Sequence, residues 1–280
     1  MTCETGVLYL VATPIGNLED ITYRAVRILS EVDFIAAEDT RHTLKLLNHF
    51  DIHKPLISYY EHNIRERGET IIARLKAGET AALVSDAGTP AISDPGEDIV
   101  KLCAEQGIRV IPVPGAVAAI NALICSALPT ARFSFEGFLS VNKKSRNTHL
   151  ESVKNSPYTL IFYEAPHKLL ATLADMLKWF GDRKMTVARE LTKKHEEFLY
   201  TTISGALEHF TETPPKGEFV LIIEGSQATE STSIFDNMSV LEHINYYIAS
   251  GMDKKDAMKK VALDRGVSKR EIYAETIQDH

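Results

Sequence analysis

Three cysteines in 280 residues, Cys3, Cys103 and Cys125, are odd in number and far apart. They give no C-x-x-C spacing and no disulfide framework, which favours a reducing compartment. No apolar run approaches the roughly 20 residues that span a bilayer, and the opening MTCETGVLYL lacks the cationic start and long apolar core of a secretory signal. A cytoplasmic protein with no membrane partner is expected. Basic excess is missing as well. The net charge is −7, which excludes wholesale coating of nucleic acid and leaves any RNA contact to local basic patches. There is no G-x-G-x-x-G, no Walker A loop, no G-x-S-x-G elbow and no cluster of His and Cys. The phosphate cradle, the serine-hydrolase nucleophile and a bound metal therefore have no support.

What is present is a chain of alternating short apolar runs and amphipathic stretches, organised around LVSDAGTPAISDPG at residues 83–96. This stretch leaves an apolar run at 80–84 through Gly88, which tolerates positive φ, and Pro90, which stiffens the turn. A helix follows at 97–106, closed by Gly107. Strand, long loop and helix in that order put the loop at the carboxyl end of a parallel strand, where open α/β sheets bind ligands. Ordinary βα loops run about 2–6 residues, so a loop of this length and composition favours binding over mere connection.

The same arrangement recurs along the chain. An apolar run at 7–12 ends in TPIGN, before a helix that Asp20 is placed to cap. A second run at 34–37 leads into EDTRH. There Asp39 or Thr40 caps the next helix, or Glu38, Asp39 and Arg41 face a substrate; both readings stand. Strands are expected at 56–60 and 109–113, and helices at 64–76 and 116–127. A first domain then covers residues 1–115 and a second 116–226. In the second, strands are expected at 133–138, 159–163, 185–188, 198–203 and 219–224. EAPH and RELTKK lie at strand ends, Lys143 to Arg146 form a basic loop, and Ser204 caps a short helix. After a polar linker at 227–237, three helical patterns at 240–249, 254–265 (ending at Gly266) and 269–278 outline a helix-turn-helix-like extension, residues 238–280.

Eight motifs bring in a resemblance. YLVATPIGNLEDIT, AEDTRHT, SDAGTPAISDPG, VPGAVAAINAL, FSFEGFL, IFYEAPHKL, ARELTKKHEE and GEFVLIIEG occur in order between Val7 and Gly225, followed by a less distinctive tail. Together they resemble the ribosomal small-subunit RNA (cytidine-2′-O)-methyltransferases of the tetrapyrrole-methylase (class III) superfamily. The resemblance implies two α/β domains with S-adenosylmethionine in the cleft between them, a homodimer, and 16S rRNA of the small ribosomal subunit as partner. The reaction implied is methyl transfer to a cytidine 2′-hydroxyl in the decoding region. Carried over residue by residue, the cofactor loops fall on Ile15, Asp86, Gly88, Thr89, Pro90, Val117, Ala118, Tyr163, Leu191, Glu218 and Phe219.

The chemistry agrees with that reading. A cofactor with a sulfonium, an amino-acid head and an adenosine needs carbonyls, amides and an occasional carboxylate, and no phosphate loop. The methyl is already activated, so alignment of the attacking oxygen supplies much of the catalysis, up to ~7–11 kcal/mol in ideal systems. A base or charge that eases deprotonation of the 2′-hydroxyl adds roughly 10²–10⁴-fold where it operates. Glu38, Asp39, Glu190 and Lys193 are the candidates, with Arg41 and Arg189 holding phosphates or orienting carboxylates. The nearest rival is C-methylation of a tetrapyrrole. A non-enzymatic nucleic-acid-binding regulator is the remote one.

Overall fold

A computed structural model describes residues 5–227, 235, 238–265 and 267–278. Cys3, nearly all of the expected linker, and the helix end expected at Gly266 lie outside the described residues. The chain divides into two compact units, Met1–Ser226 and Gln227–His280.

The first sheet contains β1 (Val7–Val11), β2 (Phe34–Ala37), β3 (Leu56–Ser58), β4 (Ala81–Val84) and β5 (Arg109–Val113), in the order β3-β2-β4-β1-β5. Every pairing is parallel. Side chains alternate across a strand, and here both faces are apolar. Phe34, Ala36 and Leu83 point into a core closed by Ile71 and Leu75 of α3 (Ile64–Lys76) and by Ile99 of α4 (Glu97–Glu105). Ile35, Ala37 and Val84 point into the opposite core, closed by Leu29 of α1 (Tyr23–Glu31) and Leu47 of α2 (Thr40–His49). The chain leaves β1 over the second face and β4 over the first. The crevice of this sheet therefore opens beyond the carboxyl ends of β1 and β4, its switch point.

Helix α5 (Ala118–Ile124) leads into a second sheet made of β6 (Phe133–Phe138), β7 (Thr159–Glu164), β8 (Lys184–Arg189), β9 (Glu197–Thr202) and β10 (Phe219–Ile223). Its order is β6-β7-β10-β8-β9. Only β6 and β7 run parallel; the fully buried β10 is antiparallel to both neighbours. Phe162, Leu221 and Val187 face a core shared with α6 (Lys143–Val153), α7 (Leu169–Phe180) and α8 (Ile203–Glu212), while Ile161, Ile222 and Ala188 pack against α5.

Three local expectations need correction. Residues Leu18–Asp20 form a 3-10 turn, which removes Asp20 from the cap position; Thr22 caps α1, accepting from the Ala25 N–H at 3.0 Å. Thr202 rather than Ser204 caps α8, because the chain passes directly from β9 into the helix. Lys143 to Arg146 form the first turn of α6, where Asn142 accepts from two backbone N–H groups, and not a loop.

The second unit packs α9 (Val240–Ala249), α10 (Lys254–Asp264) and α11 (Lys269–Gln278) around Ile244, Ala257, Val261 and Ile272. A Ser239–Glu242 capping box starts α9 and Asp253 caps α10. Among the described residues, no helix is long and apolar enough to cross a membrane.

Candidate active site

The loops after β1 and β4 are stitched together beyond the sheet. Thr13 N–H donates to Gly88 carbonyl at 2.8 Å, and Gly88 N–H returns the bond to Thr13 at 3.0 Å. Thr89 Oγ1 donates to the Ala116 carbonyl at 3.2 Å, tying the same loop to the segment that opens α5. Within the loop, Ala91 and Ser93 hold φ of 66° and 65°. Such conformations cost a side-chain-bearing residue of order 1–3 kcal/mol and gather at functional sites.

These loops wall a cavity of about 590 Å³, within the usual range for a small-molecule site. Ile15, Gly88, Thr89, Val117 and Ala118 form one side; Phe138, Tyr163, Phe219 and Val220 form the other. The second sheet reaches this cavity through an antiparallel register. Phe219 pairs with both Glu164 and Arg189, so the start of β10 lies level with the ends of β7 and β8. Tyr163 spans the two walls, its hydroxyl accepting from the Ala119 N–H at 3.1 Å. Burial pushes that phenol upward.

The cavity is acidic. Glu38, Asp86 and Asp94 line it, and among the described residues no lysine or arginine does. Burial, then the charges of Asp94 and Asp86, raise the Glu38 carboxyl above its ordinary range. Asp94 is raised mainly by burial, against a hydrogen bond from Ser85. Glu164 also borders the space, but its carboxylate turns away to Ala165 N–H, Thr172 and Lys168. Apolar walls, carboxylates and no cation reject a phosphate-rich ligand and fit one that carries positive charge.

Of the residues to which the family resemblance assigns the cofactor, all but Pro90 and Leu191 line this cavity. Pro90 is buried within its loop, and Leu191 faces the core beside Ala119, Ile161 and Val220. The residues considered for catalysis are not gathered at one point. Glu38 alone lies in this cavity. Asp39 caps α2, accepting from the Arg41 N–H at 2.8 Å, and its other oxygen meets the Arg41 guanidinium at 2.7 Å. Those bonds hold its carboxyl well below the ordinary range. Arg189 pairs with Glu197 at 2.8 Å. Lys193 bridges Glu190 and Glu218, each at 2.8 Å, against the cost of its own partial burial, and stays above its ordinary range as a cation. The Lys193 bond chiefly holds Glu190 low.

This bridge depends on Gly217. Its φ is 86°, and a Cβ there would lie 2.5 Å from the Glu190 side chain. Lys193 borders a second cavity of about 380 Å³, which shares Ile15, Asp86, Ala87 and Glu218 with the first and continues along α2 to His42 and Lys45. Sequence reasoning passed over Asp94 and Ser93, although both stand in the organising loop. It also passed over Phe138 and Val220, whose only signal was membership of an apolar strand.

The model of the family described as Tetrapyrrole (Corrin/Porphyrin) Methylases matches residues 7–206. A Halalkalibacterium halodurans protein named Ribosomal RNA small subunit methyltransferase I is 54% identical over 272 residues, covering 96% of this chain and 94% of that protein. Proteins of the same name from Synechocystis sp. and Bacillus subtilis are 51% and 50% identical; each alignment covers 96% of this chain, with 96% and 94% of theirs. Among solved structures, uroporphyrin III C-methyltransferase from Thermus thermophilus aligns with a TM-score of 0.57 at 18% identity, covering 78% of this chain and 97% of that one. A further structure of the Thermus enzyme, with a TM-score of 0.56 at 19% identity, is complexed with S-adenyl homocysteine and aligns over 78% of this chain and 97% of that one. A diphthine synthase aligns with a TM-score of 0.61 at 14% identity, covering 79% and 90%. The full-length relatives and the shared two-sheet fold agree: this chain belongs to the tetrapyrrole methylases, in the branch whose curated members are named Ribosomal RNA small subunit methyltransferase I.

Proposed function

We propose that the protein transfers a methyl group from S-adenosylmethionine to the ribose 2′-hydroxyl of a cytidine in the decoding region of 16S rRNA. The observation that carries the cofactor assignment is the acidic cavity, without lysine or arginine among the described residues, walled by the loops after β1, β4 and β7 and by the start of β10. The relatives' shared name carries the rRNA assignment.

Bound there, S-adenosylmethionine supplies an electrophilic methyl on a sulfonium. Ile15, Val117, Ala118, Phe138 and Val220 provide the apolar bed and exclude water. Glu38, Asp86 and Asp94 offer the negative potential that a cationic ligand requires, and at Glu38 and Asp94 a bound cation offsets the cost that burial sets on ionisation. The product is one positive charge poorer than the donor, so the same carboxylates hold it less firmly.

Glu38 is the proton acceptor best matched to a hydroxyl at neutral pH, because its raised pKa makes it a stronger base than an ordinary carboxylate. Glu190 is held low and occupied by Lys193 and by the Glu218 N–H at 3.0 Å, which suits it to orienting Lys193. Lys193, kept charged, stabilises developing negative charge on the attacking oxygen. Asp39 and Arg41 act on the acceptor side, and Arg189 supports the loop that carries Glu190. The same reading takes the protein as a cytoplasmic homodimer, which sedimentation measures.

The test is methyl transfer from labelled S-adenosylmethionine to small ribosomal subunits lacking the native modification, mapped by a 2′-O-methyl readout. Label on one ribose of the decoding region is expected. Cofactor binding without label on subunits or naked rRNA overturns the reading and redirects it to a tetrapyrrole acceptor.

A further inference from the structure

The second cavity has a different chemical character from the first. Its walls come from the TPIG turn after β1, from Ser85 to Ala87 after β4, from α2, and from Lys193. His42, Lys45 and Leu46 are spaced i, i+3 and i+4, which sets them on one face of α2. His42 and Lys45 are exposed, and among the described residues neither has an ion pair. Lys193 faces them from the other wall, and its bond to Glu218 offsets one of the two carboxylates on the border with the first cavity. Arg41, one residue earlier, is turned to Asp39 and does not line the space.

A second observation points to a ligand. Thr43 is 3% exposed and lines this cavity, yet its hydroxyl has no hydrogen-bond partner among the described residues. Buried hydroxyls are ordinarily satisfied, and each exception asks for an explanation. The oxygen is covered as it stands, so a polar ligand seated against α2 reaches it once the Thr43 side chain turns toward the cavity.

We propose that this second cavity seats the ribose–phosphate backbone of the RNA acceptor, with Lys45 and His42 holding a phosphate and the Thr43 hydroxyl bonding the sugar–phosphate edge. The proposal rests on the rRNA reading above and adds to it residues for the acceptor strand. The shared border of Ile15, Asp86, Ala87 and Glu218 is then where the target ribose meets the donor pocket. A backbone phosphate finds lysines, Lys45 and Lys193, only in the second cavity, while the first offers it carboxylates, so the two ligands are steered apart by charge.

Fluorescence anisotropy tests this with the full chain saturated with S-adenosylhomocysteine and a labelled single-stranded RNA of the decoding-region sequence, over a range of salt. Lys45→Ala and His42→Ala are expected to weaken RNA binding several-fold. Lys45→Ala flattens the slope of log K against log salt by about 0.7–0.9, the loss of one phosphate contact. Thr43→Val, which has no internal bond to lose, is expected to weaken RNA binding while leaving the melting temperature unchanged or raised. Lys101→Ala, an exposed lysine of α4 outside both cavities, is the control and leaves the slope unchanged. Calorimetry should give the same S-adenosylmethionine affinity for all four variants. If the parent binds RNA but Lys45→Ala and His42→Ala match it in affinity and slope, the cavity assignment fails and the rRNA reading stands. If the parent binds S-adenosylmethionine but not this RNA, the same variants are read on unmodified small ribosomal subunits, and if the parent binds neither RNA nor subunits, both fail.

Discussion

Glu38 carries two opposed requirements in one side chain. In the folded protein its pKa is raised, so folding favours the protonated form. The sign follows from linkage: ionised Glu38 lowers stability once pH rises above the unfolded value, and the penalty is absent below it. Glu38→Gln should therefore melt higher than the parent at pH 7, with the gain fading toward pH 4. The same change removes a charge from the donor pocket, and a charge-assisted contact is worth about 1.5–3 kcal/mol. Affinity for S-adenosylmethionine should fall about tenfold or more, read by calorimetry beside the melting curves. Higher stability with undiminished cofactor affinity would remove Glu38 from the donor site. Gly217 is simpler. Gly217→Ala places a Cβ against Glu190 at positive φ and should cost about 1–2 kcal/mol, measured by denaturant unfolding, with a lower methylation rate as Lys193 loses its seat.

Among the elements, α2 holds the residue whose two readings the sequence left open. Asp39 caps the helix and also lies beside the donor-pocket wall, its N–H donating to Asp86 at 3.1 Å. Two substitutions separate these roles. Asp39→Ala should cost about 0.5–2 kcal/mol as the cap is lost. Asp39→Asn keeps a capping oxygen and removes the charge, so its stability should stay near that of the parent. A methylation rate that falls in Asp39→Asn at unchanged stability assigns the carboxylate to the reaction; a parent-like rate leaves Asp39 as a cap. The parallel half was legible in sequence because each buried strand is a short apolar run ending in a polar turn, as 80–84 ends in SDAGTP. The other half was legible strand by strand, but pairing was not. Nothing in EFVLIIEG says that β10 runs antiparallel between β7 and β8, and that reversal is what brings Glu218 and Phe219 to the cavity. Val220 was missed for this reason; Phe138, the last residue of β6, was missed because nothing in FSFEGF sets one aromatic apart from the others. His42 and Lys45 were missed for another: an exposed histidine and lysine on a helix carry no signal until a cavity is seen beneath them.

At the scale of the whole molecule, the two units divide the labour in a way that truncation can expose. The first unit contains both sheets, their cores and both cavities. The second has a core of its own, and its lysines and arginines are outnumbered by its carboxylates, so any basic surface there is local. Lys259 and Lys260 pair with Asp256 and Asp264, whereas Lys254, Lys255, Lys269 and Arg270 have no ion pair among the described residues. A chain ending at Ser226 should fold with both cavities intact and bind S-adenosylmethionine within about twofold of the parent, since the described residues that line the donor cavity lie between Ile15 and Val220. If the second unit adds phosphate contacts, tethering it to the first raises avidity by a factor that reaches about 10²–10⁴ in favourable geometries. The truncated protein should then show a KM for rRNA at least tenfold higher and a flatter salt dependence, with kcat little changed, because the acceptor oxygen and the methyl still meet in the first unit. Equal KM values for the two chains would make the helical extension a bystander to RNA binding. A collapse of kcat with cofactor affinity preserved would place it in the alignment of the acceptor.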